Sequence, residues 1–426
     1  MDAEILAAVA AEQPAMVDLL TELVSAPTLL GHEAAGQEVM RRAFLALGLE
    51  PFHVPLDAAA LERHPAGAPH SWSVDGKANV LADWAGSGDG RSLILNGHID
   101  VVSPEPAALW TGDPFTARVD GDWMYGRGAG DMKSGLAAIV GAVRGLQRLG
   151  LSPRGRVQLQ SVVEEECTGN GALACVLAGH TADAAILTEP TQGAIWNAQV
   201  GVLWFQVRAI GAPAHAGDAG EGANAIEASY RVIEALRDLE AELNAAKPSL
   251  FEAYPHPINL NVGMIRGGDW PSTVAGECVT HCRLALYPGE PVDGLKARVE
   301  DAVASVAADS RFDFQVVYDG FQCEGYELGP DAPLVRGLAG AAARVTGQEP
   351  PLFASTATTD ARTFHLYGDT PAVSFGPLAE HEHGVDERVL IPSMTRTAQA
   401  IALFVGDWCG LEARAQHEVA RADSET

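Results

Sequence analysis

The chain has 426 residues, 47% hydrophobic and 20% charged, enough for sizeable cores and long for a single one, so two domains are expected. Its 56 acidic against 28 basic residues give a formal net charge of -28, which argues against nucleic acid and anionic membrane surfaces as partners. Residues 1–10 carry two acids and no base, unlike a secretory leader, and no apolar run reaches membrane-spanning length, so a cytoplasmic location without membrane contact is expected.

Apolar residues recur at helical spacing over 3–24, with Pro14 marking a kink or a break, and again over 34–47, closed by Gly48. Strands are expected near 51–54 and over 78–84, whereas the Pro-, His- and Ala-rich run 56–75 reads as a loop without assigned chemistry. A strand over 92–95 delivers His98 and Asp100 just past its end. Residues two apart on a strand face the same way, so a carboxylate at 100 can hold one nitrogen of the imidazole and leave the other for a metal.

Asp131 follows a Gly-rich turn, Gly126–Gly130, and precedes a helix from 132 to about 149. An Asp there either caps the helix or bridges two cations. The turn is not a dinucleotide loop: G-x-G-x-x-G needs a glycine at 131, where a carboxylate would repel pyrophosphate. The strand expected over 156–163 ends in Glu164, Glu165 and Glu166, and a strand over 184–187 ends in Thr188-Glu189-Pro190. Adjacent carboxylates are expensive to bury without cations, yet the carboxyl edge of an α/β sheet is where such folds build sites.

The periodicity changes after residue 199. A strand over 200–210, a helix over 223–243, strands over 258–265 and 277–286, a helix over 292–305 and a strand over 312–318 give β-α-β-β-α-β order, the split pattern of a ferredoxin-like domain. It is expected as an insertion spanning 201–321, between 1–200 and 322–411 of an α/β domain. Helices over 334–346, 360–366 and 394–405 and a strand over 372–375 complete that domain, and residues 412–426 read as a frayed polar tail. The six cysteines form no CxxC pair and are expected to stay reduced.

His98, Asp131, Glu166, Glu189 and His383 each fall at or just beyond an expected strand end or turn. Two imidazoles and three carboxylates suit two borderline divalent cations, zinc first, with one carboxylate bridging. Their spacings are too long for a zinc-finger clip, so the fold has to assemble the site.

The segments NGHIDVV (96–102), YGRGAGDMK (125–133), EEE (164–166), LTEP (187–190) and HGVDE (383–387) span nearly the whole chain. In that order they resemble the dinuclear zinc amidohydrolases that include acetylornithine deacetylase, succinyl-diaminopimelate desuccinylase, aminoacylases and glutamate carboxypeptidase. The resemblance implies a two-domain α/β fold: a catalytic α/β/α sandwich with a mostly parallel sheet, plus the inserted ferredoxin-like α+β domain as lid and dimerisation surface. It implies two Zn2+ per chain, with Co2+ or Mn2+ as substitutes, His98 and Glu189 on one ion, Glu166 and His383 on the other. Asp131 would bridge them, preceding a cis peptide bond, and Asp100 would orient His98.

By the same resemblance Glu165 is the general acid/base for attack by a metal-bridging hydroxide. His215, in the loop Gly211–Gly217, stabilises the oxyanion from across a homodimer interface, Arg283 grips the substrate carboxylate, and Asn261, Gly263 and Gly376 approach substrate. Leu378, Ala275 and Glu164 depart from the residues usual in that family, Gly, Pro and Asp. The expected function is deacylation of an N-acyl amino acid, in the manner of acetylornithine deacetylase. A dipeptidase or carboxypeptidase using the same site, and a non-catalytic metal-binding scaffold, are the alternatives.

Overall fold

Residues 1–307 and 311–413 are described by a computed structural model. Strands such as Leu93–His98 and Val157–Val162 are buried at every position, as befits strands covered on both faces. They lie in the middle of a nine-stranded sheet. Its order is Phe52–Pro55, Ala78–Trp84, Val157–Val162, Leu93–His98, Ala185–Leu187, Ala372–Ser374, Ile195–Gln199 and Tyr326–Glu327, and Leu352–Ser355 also pairs with Ile195–Gln199. The central four, from Val157–Val162 to Ala372–Ser374, run parallel, and antiparallel pairs flank them.

Alternation along the central strands fills two cores. Leu93 and Leu95 face the larger one, with Leu136 and Val143 of helix Ser134–Arg148 and Ile401 and Phe404 of helix Ile391–Cys409. Ile94 points the other way, toward Ala172 of helix Asn170–Leu177 and Phe364 of helix Ala361–Tyr367. Helices therefore cover both faces of the sheet, the expected α/β/α sandwich.

A second sheet, antiparallel throughout, runs in the order Leu260–Gly267, Glu277–Leu286, Gly201–Ile210, Asp313–Val317, and Gln322–Cys323 also pairs with Gly201–Ile210. Helices Ala225–Ala245 and Val292–Val306 fill one face of it with Val232, Leu236, Leu295 and Val299. The chain order is the expected ferredoxin-like one. The opposite face carries Trp204, Gln206, His281 and Arg283, which line a cavity together with residues from the edge of the large sheet.

Several local features depart from the sequence reading. The apolar run over 3–24 is two helices, Asp2–Ala10 and Gln13–Val24, with Pro14 in the first turn of the second, where its missing N–H costs nothing. Residues 56–75 are not all loop: Asp57 caps a short helix, Ala58–Arg63, by accepting from the Ala60 amide. Ile195–Gln199 is an additional strand of the large sheet, so the chain passes at Val200 from one sheet into the other. Glu412 is not frayed; Leu411–Ala413 pairs with Leu151–Pro153, while residues 414–426 lie outside the described residues. All six cysteines are free and buried, and among the described residues no helix is long and apolar enough to cross a membrane.

Candidate metal centre and active site

Three neighbouring strands end side by side, and parallel pairing puts their carboxyl ends at one edge. Leu93–His98 ends in His98, Val157–Val162 leads to Glu165 and Glu166, and Ala185–Leu187 leads to Glu189. Asp131 arrives from the glycine-rich turn and His383 from the loop before the strand Arg388–Leu390. Asp131–Met132 is a cis peptide bond.

The buried carboxylate of Glu387 holds that turn in place. It accepts the amides of Gly128 at 3.1 Å, Gly130 at 2.8 Å and Asp131 at 2.9 Å. It also pairs with Arg127, whose guanidinium donates to the Gly384 carbonyl at 3.0 Å, so one ion pair ties the Asp131 turn to the His383 loop.

The five sequence-selected donors converge. His98 Nε2 lies 3.1 Å from Asp131 Oδ1, 3.8 Å from Glu189 Oε2 and 3.9 Å from Glu165 Oε2. His383 Nε2 lies 3.0 Å from Glu166 Oε2 and 3.5 Å from Asp131 Oδ2. Each oxygen of Asp131 thus faces a different imidazole, the disposition a bridging ligand requires. Single donor atoms of His98, Asp131 and Glu166 fall within 4.8 Å of one another.

Electrostatics supports a cation-binding reading. Glu165 Oε1 and Glu189 Oε1 are buried and have no hydrogen-bond partner, an expensive arrangement unless positive charge sits beside them. Burial pushes both carboxyls well above their usual range. Burial also opposes ionisation of Asp131, but hydrogen bonds from His383 and His98 outweigh it and hold that carboxyl well below the usual range. The Glu166 charge raises His383 to about 11, so with protons alone the donor set draws positive charge onto its imidazoles. The chemistry of the set, two imidazoles and three carboxylates, fits two divalent cations.

A family model described as peptidase family M20/M25/M40 matches residues 94–407. The chain belongs to this family. It is similar to an N-formyl-4-amino-5-aminomethyl-2-methylpyrimidine deformylase of Halalkalibacterium halodurans, 31% identical over 75% of this chain and 80% of that protein. It is also similar to a succinyl-diaminopimelate desuccinylase of Paracoccus denitrificans, 29% identical over 75% of this chain and 84% of that protein. A dipeptidase of Saccharomyces cerevisiae shares the fold, with a TM-score of 0.80 over 96% of this chain and 98% of that one at 13% identity. The M20 chain is thus a metallo-hydrolase.

Other residues of this M20 protein stand where the sequence reading did not put them. The Asp100 carboxylate is 3.8 Å from His98 Nδ1, and the hydrogen bond at that nitrogen goes instead to the Asp100 carbonyl, at 2.9 Å. The carboxylate accepts the amides of Glu165 at 3.2 Å and Glu166 at 3.0 Å, fixing the loop that carries them. Glu164 turns away from the other two glutamates and is fully buried, receiving Trp72 Nε1 at 2.8 Å, Lys77 Nζ at 2.7 Å and Thr168 Oγ1 at 2.8 Å. The segment denied chemistry therefore supplies Trp72, and no local pattern announced it.

Arg283, Asn261 and Gly263 line the cavity of about 1040 Å³ that also contains Asp131, Glu165 and His383. Gly376 does not line it. It packs behind Glu189, where an added Cβ would come 2.1 Å from the Glu189 carbonyl oxygen, so its glycine identity keeps that ligand loop in place. His215 is exposed, stands outside the cavity, and its Nδ1 accepts the Gly217 amide at 3.0 Å. Within one chain the fold does not bring it to the site.

Proposed function

We propose that this chain is a zinc-dependent amide hydrolase that deacylates N-acyl amino acids. The observation that carries the reading is Asp131 with one oxygen toward His98 and the other toward His383, beside a buried Glu165 whose Oε1 has no hydrogen-bond partner. His98 and Glu189 would hold one zinc, Glu166 and His383 the other, and Asp131 both. When bound, the pair supplies a Lewis acid for the amide carbonyl and lowers the pKa of water.

The remaining work falls to side chains. Glu165, whose burial makes its carboxylate a stronger base, takes a proton from the attacking water and hands it to the departing amine, a transfer worth roughly 10²- to 10⁴-fold. Arg283, on the cavity wall, receives the carboxylate of the substrate through its planar fork. Residues 201–321 act as lid and dimerisation domain on a catalytic domain formed by 1–200 and 322–411. His215, exposed and bridged to Thr273 of the same domain, reaches the oxyanion of a partner subunit.

A dipeptidase or carboxypeptidase reading has one observation in its favour, the size of the cavity, which accommodates a second amino-acid side chain. The discriminating experiment offers zinc-loaded protein a panel of N-acyl amino acids and dipeptides and follows amine release. Hydrolysis of N-acyl amino acids, abolished in Glu165→Ala with metal content retained, is expected. Cleavage of peptides alone would overturn the substrate assignment, and unchanged turnover in Glu165→Ala would remove the acid/base assignment.

A further inference from the structure

The wall of the small sheet that faces the cavity has an order set by strand register. Trp204 stands directly opposite Arg283, which in turn stands opposite Asn261. Directly opposed side chains on one face start about 4.5–5.5 Å apart, so Trp204 and Arg283 form one patch. A substrate that gives its carboxylate to Arg283 therefore has Trp204 on one side and Asn261 on the other, and the Trp204 side is the aromatic one.

That side is built and held. The Trp204 ring meets Phe321 edge-to-face with centroids 5.3 Å apart. Gly320, at φ +85°, backs the indole so closely that an added Cβ would come 2.5 Å from Trp204 Cε3. Across the opening, the indole N–H of Trp72 is fastened to Glu164 at 2.8 Å. Three aromatic side chains thus line one part of the cavity, and their positions are fixed before any ligand arrives.

Asp319 lies among them. Its Oδ2 accepts Ser71 Oγ at 2.7 Å, and Oδ1 accepts nothing from the described residues. It forms no ion pair among those residues. The nearby imidazole of His281 is held below its usual pKa chiefly by burial, with the Arg266 charge adding to the effect and the Asp319 charge opposing it. Aromatic faces attract cations as well. A carboxylate oxygen beside the Trp204 and Trp72 rings, with Phe321 packed against Trp204 and under the Arg362 guanidinium, makes a receptor for a flat, positively charged group.

We propose that Asp319, Trp204, Phe321 and Trp72 form a subsite for the side chain of the leaving amine, selecting an aromatic ring with a cationic or N–H-donating edge. The proposal rests on the amide-hydrolase reading and on Arg283 taking the substrate carboxylate. Four N-acetyl amino acids separate its parts: those of 4-(aminomethyl)phenylalanine, which is aromatic and cationic, of phenylalanine, of ornithine and of norleucine. The expected kcat/KM for the first exceeds each of the other three by about tenfold or more, the size of a charge-assisted contact.

Asp319→Asn should bring the ratio of the first substrate to N-acetylphenylalanine toward one. Trp204→Leu should do the same to its ratio over N-acetylornithine, and the milder Trp204→Phe should retain most of that ratio. Equal kcat/KM across the four, or an Asp319→Asn variant that lowers all four alike, would overturn the subsite. A second readout is independent of turnover: binding of the free amines, followed by tryptophan fluorescence. If no amide is cleaved, the hydrolase reading fails, and the subsite still stands or falls on whether 4-(aminomethyl)phenylalanine binds more tightly than phenylalanine and loses that advantage in Asp319→Asn.

Discussion

Replacing Glu387 by alanine tests how the metal centre is built, because this one carboxylate anchors the Asp131 turn without pointing at the metals. The side chain is fully buried, pairs with the buried Arg127 and accepts three amides, those of Gly128, Gly130 and Asp131. Removing one partner of a buried ion pair costs roughly 3–5 kcal/mol, and each buried amide left without an acceptor adds about 1 kcal/mol or more. The sum approaches the whole stability of an ordinary domain, about 5–15 kcal/mol. Urea unfolding followed by circular dichroism should show a loss of at least about 3 kcal/mol, together with weakened zinc binding as Asp131 drifts. Glu387→Gln, which keeps the shape and one acceptor oxygen, should lose less. An alanine variant within about 1 kcal/mol of the parent and with unaltered zinc affinity would refute the reasoning.

Asp360 is fully buried, neither of its oxygens accepts a hydrogen bond, and burial raises its carboxyl to about 6 against the Arg362 guanidinium 3.9 Å away. A carboxyl raised on folding favours the folded state at low pH and loses that contribution as pH rises through 6. Urea midpoints measured at pH 4.5 and pH 8 should therefore fall less in Asp360→Asn than in the parent; equal falls would contradict the assignment. Gly376→Ala should force the Glu189 carbonyl aside and weaken zinc binding on the order of 10- to 100-fold, read by competition with a chelator, and an unchanged affinity would refute the packing argument. Mixing the inactive His215→Ala and Glu165→Ala proteins should restore part of the activity if the histidine serves a partner subunit. No recovery despite demonstrated subunit exchange would place it elsewhere.

The five candidate ligands were legible in the sequence because each is tied to a local signal, a strand end or a glycine-rich turn, and a parallel sheet gathers such ends at one edge. The inserted domain was legible from its alternation of strands and helices. What escaped was long-range. Nothing near Trp72 foretells that its indole donates to Glu164, 92 positions on, or that Ser71 meets Asp319, 248 positions away. The Asp100 side chain illustrates a different limit. Spacing put a carboxylate beside His98, but two backbone amides of the Glu165–Glu166 loop claim it, and the carbonyl takes its place at the imidazole. The strand Ile195–Gln199 was missed because it runs almost without a break into Gly201–Ile210, and no turn residue marks where the chain changes sheets.

The central claim, that His98, Asp131, Glu166, Glu189 and His383 jointly hold two cations through a shared Asp131, is tested by zinc titration of protein stripped with a chelator, with bound metal and amine release followed in parallel. The parent should bind two tight equivalents and recover amide hydrolysis as they fill, whereas Asp131→Ala should lose both tight sites. One equivalent at saturation, or full hydrolysis by the stripped protein, would contradict it.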